Sequence, residues 1–343
     1  MYEQFFGFRE RPFDLTPNPR YLVLTDVHRE ALSNLEYGIV SHKGITLLIG
    51  EAGSGKTTLI RSAIEKQPAR VHCIHLSNPA LSRAEFIEML AERFGLTSAA
   101  KTSKTTMLLQ LEALLRARRE AGETTVLIVD EAQSLSVELF EEVRLLANIE
   151  ANDEKLLLVI IAGQPELIDR LNDKRLRQLK QRIALRCELR PLTLQETAAY
   201  LAGRIKAAGG VGAQVFTREA VTRIFESAHG IPRVTNVIAD NALLSAYAQD
   251  RRPVTSAMVD EVCRDFDLAG HTVAAAPPAA QSANGRADVT ATSAANRILD
   301  MKPDLVLRSA DLPTRTGAAV DSDVSEDPLR WLRFFFERRS GNR

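Results

Sequence analysis

The chain has 343 residues, a length that corresponds to about two domains. Its hydrophobic content of 45% and charged content of 26% are ordinary for a globular protein with a buried core. The chain has 44 Lys and Arg residues and 44 Asp and Glu residues, so its formal net charge is zero. This balance excludes a nucleic-acid-binding protein that is basic over its whole surface.

The first 42 residues form an N-terminal segment that mixes aromatic residues and prolines with one helical stretch, HREALSNLEYGIV. From residue 43 to residue 190, apolar strand patterns alternate with helical patterns. The five predicted strands are GITLLIG, ARVHCIHL, TTVLIVDE, KLLLVIIAG and IALRCEL. Such alternation predicts an α/β domain with a five-stranded parallel sheet between helices.

Helix signals mark the boundaries of the segments between and after these strands. Ser82 is a candidate N-cap, and a continuous helix, PELIDRLNDKRLRQLKQR, is predicted from Pro165. After residue 190 the pattern is helical only, and Thr193 with Glu196 forms a capping box. We predict a small all-α domain over residues 191–268.

The remaining sequence changes in composition. Residues 269–325 are rich in Ala, Pro, Ser and Thr without a periodic apolar face, which predicts a disordered linker. Residues 326–343 include PLRWLRFFFERR, an amphipathic aromatic-basic segment too short to span a bilayer. It is a candidate for docking at a membrane surface or on a partner, or for folding back onto this chain's own core.

A glycine-rich stretch, GEAGSGKTT, follows the first predicted strand and begins a helix. It matches the pattern G-x-x-x-x-G-K-[ST], in which backbone N–H groups and a helix N-terminus bind phosphates. Lys56 is predicted to reach the β- and γ-phosphates of ATP, and the Thr57 hydroxyl to bind Mg²⁺. The predicted nucleotide-binding residues are Gly50, Glu51, Ala52, Gly53, Ser54, Gly55, Lys56, Thr57 and Thr58.

Polar residues follow the third and fourth predicted strands. Asp130 suits Mg²⁺, and Glu131 suits a general base on the attacking water, because ligands bind at the carboxyl ends of strands in open α/β sheets. Gln164 would emerge between the glycine-rich strand and the acidic strand in a doubly wound order. It is a candidate for orienting water against the γ-phosphate, or it belongs to a simple strand-to-helix turn.

Two further features involve arginines. Arg175, Arg177 and Arg182 lie in a basic stretch before the fifth strand and are candidates for stabilising transition-state charge in a neighbouring subunit. The alternative is a solvated basic face. Arg233 begins a helix directly after Pro232, at the positive end of the helix dipole, where a cation is slightly unfavourable.

Together these residues identify the chain as one that resembles the AAA+ ATPases. More narrowly it resembles the ExeA/GspA family, general secretion pathway protein A and its relatives near polysaccharide-export and exosortase gene clusters. The resemblance covers residues 1 to about 268. It rests on FFGFRERPFDLTPNPRYLVLTDVHREALSNLEYGI, LLIGEAGSGKTTLIR, LIVDEAQSL, IIAGQPEL, LKQRI, LRPLTLQETAAYLAGRIKAAG and GIPRVTN.

The resemblance implies a P-loop core, a helical lid over residues 191–268 and ATP held between them. Lys56, Thr57, Asp130 and Glu131 would then take the Walker roles. Gln164 falls at the sensor-1 position, Arg182 at the arginine-finger position and Arg233 at the sensor-2 position. The N-terminal segment would lie over the adenine, and subunits would assemble as a ring or filament acting on a protein client.

Secretion-type members continue into a membrane span and a periplasmic peptidoglycan-binding domain, and we expect neither in this chain. With no apolar signal-peptide region at the N-terminus, we expect a cytoplasmic protein, with peripheral docking at the inner membrane through the tail. Two alternatives stay open. One is an ATP-dependent DNA-binding regulator of the transposition or replication-initiator type, which zero net charge disfavours. The other is a nucleotide-gated scaffold with little turnover.

Overall fold

The computed structural model describes residues 1–15, 23–67, 70–76, 81–151 and 154–266. Its strands are β1 Ile45–Gly50, β2 Val71–Leu76, β3 Thr124–Val129, β4 Glu150–Ala151, β5 Glu154–Lys155, β6 Leu158–Gly163 and β7 Ile183–Leu189. Its α-helices are α1 Tyr2–Phe6, α2 Asp26–Val40, α3 Lys56–Glu65, α4 Arg83–Arg93, α5 Ser98–Thr102, α6 Lys104–Glu120, α7 Val137–Leu146, α8 Glu166–Leu171, α9 Arg177–Lys180, α10 Leu194–Ala207, α11 Arg218–Ala228, α12 Pro232–Ala248 and α13 Ser256–Asp265.

Five strands form one parallel sheet in the order β2-β3-β6-β1-β7, which confirms the predicted fold class. Every residue of β1, β3 and β6 is buried, because helices cover both faces of the sheet. The strands β4 and β5 form a separate antiparallel pair that the sequence pattern did not predict.

Alternate residues of each strand enter two different apolar clusters. Ile49 and Val129 pack on one face with Phe86 of α4, Leu111 of α6 and Phe140 of α7. On the other face, Leu48 and Ile128 pack against α2 and α3, whose buried residues include Leu32, Leu35, Leu59 and Ile60. The two faces therefore hold the ends of the central strands in fixed positions.

The helical domain has a core of its own, and the N-terminus is part of it. Tyr2, Phe8 and Phe13 are buried together with apolar side chains of α10 to α13. The Tyr2 hydroxyl donates to Asp240 of α12, and the Arg9 amide donates to the Ala208 carbonyl at 2.8 Å. The first residues of the chain therefore pack with the helical domain, whereas α2 packs on the sheet.

Several local predictions can be compared with the structure. The N-cap predicted at Ser82 and the capping box predicted at Thr193 are confirmed. The continuous helix predicted from Pro165 is wrong, because α8 ends at Leu171 and a 3₁₀ turn, Lys174–Leu176, precedes α9. The Asp173 carboxylate accepts a hydrogen bond from the Arg175 amide at 2.9 Å and caps this new turn.

The predicted linker, residues 269–325, and the aromatic-basic tail, residues 326–343, lie outside the described residues. Part of the segment predicted to cover the adenine, residues 16–22, also lies outside them. Within the described ranges, no helix combines the length and the apolar character needed to cross a membrane.

The caps of the helical domain allow a matched stability test. Thr193 accepts from the Glu196 amide, whereas Thr255, the N-cap of α13, makes no side-chain cap hydrogen bond. We expect Thr193→Ala to lower the free energy of unfolding by about 1 kcal/mol and Thr255→Ala to change it by much less. Urea unfolding of both variants measures this difference, and equal losses would contradict the assigned cap.

Candidate active site

Three parallel strands end at the same edge of the sheet and bring the predicted site residues together. The strand β6 lies between β1 and β3. The glycine-rich loop follows β1, Asp130 and Glu131 follow β3, and Gln164 follows β6. Gln164 therefore emerges between the loop and the two carboxylates, as the doubly wound order predicted.

The glycine-rich loop turns tightly around the first residue of α3. Gly53 and Gly55 have φ values of 78° and 97°, in the left-handed region that glycine adopts without a steric cost. The buried Lys56 ammonium donates to the carbonyls of Gly50 at 2.8 Å and Glu51 at 3.1 Å. Burial lowers the pKa of Lys56, while the charges of nearby carboxylates, first Glu131, act to raise it. The loop therefore presents a buried cation beside a helix N-terminus, an arrangement suited to an anion.

A hydroxyl and a carboxylate meet beside Lys56. The Thr57 hydroxyl donates to Asp130 at 2.8 Å, and the other Asp130 oxygen accepts from the Glu131 amide at 3.0 Å. Within the described residues, no group of three or more His, Cys, Asp and Glu could hold a metal ion. Mg²⁺ fits this site nonetheless, because it is commonly bound by one or two protein oxygens together with substrate phosphates.

Glu131 lies directly after Asp130 with a positive φ of 51°. One carboxylate oxygen, Oε2, accepts from the Gln133 amide at 2.6 Å and from the Gln164 amide at 3.0 Å. Burial acts to raise the pKa of Glu131, but these hydrogen bonds and the Lys56 charge outweigh it and hold the pKa below its ordinary value. Glu131 is therefore ionised at neutral pH and able to accept a proton.

The helical domain reaches the glycine-rich loop through the start of α12. The Arg233 amide donates to the Gly53 carbonyl at 3.2 Å, directly after Pro232 at the first helical position. Gly53 has no side chain to separate the two segments, since a Cβ there would lie 2.4 Å from the Arg233 Cβ. The Arg233 side chain is exposed at the cavity described next.

A cavity of about 390 Å³ lies between the sheet edge and the helical domain. Loop residues 53–58 and Glu131 line one side, and Arg233 lines the other. Gly50, Glu51 and Ala52 are not part of this lining. The carbonyls of Gly50 and Glu51 instead hold Lys56 in place.

His28 of α2 also lines the cavity and was not predicted from the sequence. Its Nε2 lies 3.3 Å from the Ser54 carbonyl, and its Nδ1 lies 2.7 Å from the Thr25 hydroxyl. Because a carbonyl only accepts, Nε2 carries the proton and Nδ1 accepts from Thr25. Burial lowers the pKa of His28, so the ring stays neutral and connects α2 to the loop backbone.

A second set of unpredicted residues joins α10, α12 and the N-terminal segment. The buried Arg204 guanidinium donates to the Tyr200 hydroxyl at 2.8 Å and to the Asp14 carbonyl at 3.0 Å. Tyr200 in turn donates to Asn236 of α12 at 2.9 Å. All four residues line the cavity, so its wall on this side depends on contacts between distant parts of the chain.

The three candidate finger arginines lie away from the cavity of their own chain. Arg182 immediately precedes β7, whose first residue, Ile183, pairs with Ile45 at the start of β1. Arg182 is therefore at the sheet edge opposite the glycine-rich loop. Arg175 is exposed and paired with Asp173, and Arg177 is exposed.

Comparisons with known proteins agree with this geometry. A family model described as an AAA domain matches residues 39–171. General secretion pathway protein A of Aeromonas hydrophila is 37% identical over 273 residues, which cover 80% of this chain. The chain belongs to the AAA+ ATPases of the ExeA/GspA type. This AAA+ chain spans 48% of that relative's length.

Two solved structures resemble the AAA+ chain in fold. The ORC2 protein of Aeropyrum pernix, in ADPNP and ADP complexes, has a TM-score of 0.58 and 18% identity, covering 77% of this chain and 73% of that one. Drosophila ORC bound to DNA has a TM-score of 0.54 and 20% identity, covering 75% and 64%. At these identities the likeness shows the fold alone.

The contact between Gly53 and α12 predicts the effect of adding one methyl group. Gly53→Ala and Gly122→Ala both place a side chain at a positive φ, but only Gly53 faces Arg233, and nothing lies within 4 Å of Gly122. Both variants should lose about 1–2 kcal/mol of stability. Only Gly53→Ala should also weaken binding of a fluorescent ATP analogue, by about tenfold or more (about 1.4 kcal/mol). Equal affinity in the two variants would contradict a role of the contact between Gly53 and α12 in nucleotide binding.

Proposed function

We propose that this AAA+ chain binds ATP together with Mg²⁺ and hydrolyses it to ADP and phosphate, acting as a switch or motor in an assembly of identical subunits. The observation that carries the proposal is the convergence of a buried cation, a hydroxyl–carboxylate pair and a second carboxylate at one edge of the sheet. Lys56, Thr57 and Glu131 line the cavity there, and Asp130 accepts a hydrogen bond from the Thr57 hydroxyl.

In this mechanism the loop N–H groups and Lys56 bind the β- and γ-phosphates. Thr57 and Asp130 would hold Mg²⁺, which when bound neutralises charge on the phosphate oxygens. The Glu131 carboxylate accepts a proton from the attacking water as the new P–O bond forms and the bond to ADP breaks. Gln164 donates to Glu131 and would hold this carboxylate in position to accept a proton from the water.

Arg233 and Arg182 have separate roles in this proposal. Arg233 stands at the boundary between the loop and the helical lid, so its contact with the γ-phosphate would link the position of the lid to the nucleotide state. Arg182 lies at the opposite edge of the sheet and would serve the site of a neighbouring subunit. Such an arrangement requires a head-to-tail interface, which generates a ring or a filament.

The likeness to a relative named general secretion pathway protein A supports a role for the proposed ATPase in an envelope secretion or export assembly. A cytoplasmic chain that docks at the inner membrane or on a protein client through residues 326–343 fits this proposal. A protein client would have a surface that binds this aromatic-basic segment.

A DNA-binding role would depend on the basic cluster between Arg170 and Arg186, and the contacts of this cluster give that role less support. Arg170 donates to the carbonyls of Gln133 and Leu135, Arg175 pairs with Asp173, and Arg186 pairs with Glu188. These groups are partly neutralised or committed to the fold, which reduces the charge available for phosphate contacts. ATP-dependent DNA binding with a steep salt dependence would nevertheless favour the DNA-binding alternative.

The assignment of Glu131 as the base predicts a separation of binding from turnover. Glu131→Gln should keep ATP affinity within about threefold of wild type while kcat falls about 100-fold or more, since general-base catalysis contributes on that order. Glu138→Gln, an exposed glutamate on α7, is the matched control and should change neither quantity. Equilibrium binding measures the ATP affinity, and a phosphate-release assay measures kcat.

Turnover near the wild-type rate in Glu131→Gln would refute the assignment of Glu131 as the general base. Binding of ATP without turnover in the wild-type protein would favour the scaffold alternative.

The assignment of Arg182 to a neighbouring site predicts complementation between two inactive variants. Arg182→Ala and Lys56→Ala proteins should each lose at least about 1,000-fold in kcat. An equal mixture should recover about a quarter of the wild-type rate, because random assembly places an intact site against an intact arginine at that fraction of head-to-tail junctions. Repeating the mixture with Arg175→Ala and Arg177→Ala identifies the finger. Failure of all three mixtures would contradict a finger supplied by this stretch.

A further inference from the structure

Gln133 contacts two site residues through one side-chain amide. It lies in the 3₁₀ turn Ala132–Ser134, directly after the acidic end of β3. Its amide oxygen accepts from the Gln164 backbone N–H at 3.1 Å, and its amide nitrogen donates to Glu131 Oε2 at 2.6 Å. The Gln133 side chain therefore bridges the ends of β3 and β6.

The orientation of this amide follows from its partners. A backbone N–H only donates, so the end of the Gln133 amide that faces Gln164 must be the oxygen. The NH₂ end is thereby directed at Glu131, where a carboxylate oxygen only accepts. The two contacts support each other, and the reversed amide would oppose donor to donor and acceptor to acceptor.

The turn that carries Gln133 is held from a different helix. The Arg170 guanidinium of α8 donates to the Gln133 and Leu135 carbonyls and lies over the Phe140 ring at 5.8 Å. The Ser134 amide also donates back to the Glu131 carbonyl at 3.0 Å. The backbone on either side of the Gln133 side chain is therefore restrained.

Gly163, at the end of β6, leaves the space that the Gln133 amide occupies. A Cβ at this position would lie 2.9 Å from Gln133 Oε1 and 2.6 Å from Leu167 Cδ2. Both distances are shorter than side-chain carbons tolerate. The strand end is thus open to Gln133 because residue 163 is a glycine.

We propose that Gln133 is a positioning residue for hydrolysis, which fixes the Glu131 carboxylate so that one oxygen is held and the other faces the attacking water. The two amide donors both contact Oε2, and within the described part of the chain Oε1 accepts no hydrogen bond. A glutamate side chain without these contacts samples several rotamers. Holding it in one rotamer keeps the base in the geometry that proton transfer requires. This inference rests on the proposed ATPase function.

The first test separates kcat from nucleotide binding. Gln133→Ala should lower kcat by about 10- to 100-fold, because small displacements of a catalytic group cost factors of this order. KM and the affinity for ATP should stay within about twofold, since the Gln133 side-chain amide contacts Glu131 and Gln164 rather than the glycine-rich loop. Gln133→Glu keeps the side-chain length but removes the donor and should lose at least as much. Gln249→Ala, an exposed lid glutamine, is the matched control with no expected change.

A double-variant comparison distinguishes positioning from a general structural role. If Gln133 acts through Glu131, adding Gln133→Ala to Glu131→Gln should reduce the residual rate by less than about twofold. A purely structural residue would cost the same factor in both backgrounds. Equal factors, or a Gln133→Ala protein that turns over faster than wild type, would overturn the proposal.

A structural readout keeps the test independent of turnover. Crystal structures of wild type and Gln133→Ala without nucleotide should show Glu131 in a single rotamer in the first protein and in several, or a different one, in the second. An unchanged Glu131 rotamer would overturn the proposal even if the chain hydrolyses ATP. If wild type binds ATP without hydrolysing it, the ATPase proposal fails, and the Glu131 rotamers still decide whether Gln133 holds this side chain.

Discussion

The parallel order of β3, β6 and β1 is the constraint on which the site depends. The strand β6 lies between β1, which precedes the glycine-rich loop, and β3, which precedes Asp130 and Glu131. Lys56 and the two carboxylates therefore lie at the same edge of the sheet but follow different strands. The attraction between Lys56 and the carboxylates then offsets part of the free-energy cost of removing these charges from water. The pKa of Lys56 shows this balance, since burial lowers it and Glu131 and Asp130 oppose the change.

The glycine-rich loop is connected to the helical domain through one contact and to α2 through another. From one side, the Arg233 amide donates to the Gly53 carbonyl. From the other, the neutral His28 ring donates to the Ser54 carbonyl. The N-terminal segment reinforces this arrangement, because Arg204 of α10 holds the Pro12 and Asp14 carbonyls while Tyr2 is buried in the helical domain's core. A change in the position of the Gly53 and Ser54 carbonyls would therefore be transmitted to both the helical domain and α2.

Features governed by local periodicity or by short motifs were predictable from the sequence. Alternation of apolar strands with helices predicted the sheet, and the Thr193–Glu196 spacing predicted a capping box. The site residues that were not predicted make contacts between distant parts of the chain, and such contacts leave no periodic pattern in the sequence. His28 and Ser54 are 26 residues apart, and Tyr200 and Asn236 are 36 apart. The break before α9 was missed for a related reason, since an Asp173 side chain that competes for the backbone outweighed a helical apolar pattern.

Glu131 is one of four non-glycine residues with a positive φ among those that the structure describes. A non-glycine residue at a φ of 51° costs on the order of 1–3 kcal/mol, and such residues persist only where their surroundings hold them. Here the surroundings are the Ser134 amide, the Gln133 side chain and, behind them, Arg170. The sequence pattern gave Arg170 no structural role, but its guanidinium stabilises the carbonyls of this strained turn. Arg170 lies outside the cavity but helps to maintain the geometry of the Glu131 carboxylate, which lines it. The position of the proposed base therefore depends on packing between α8 and the turn after β3.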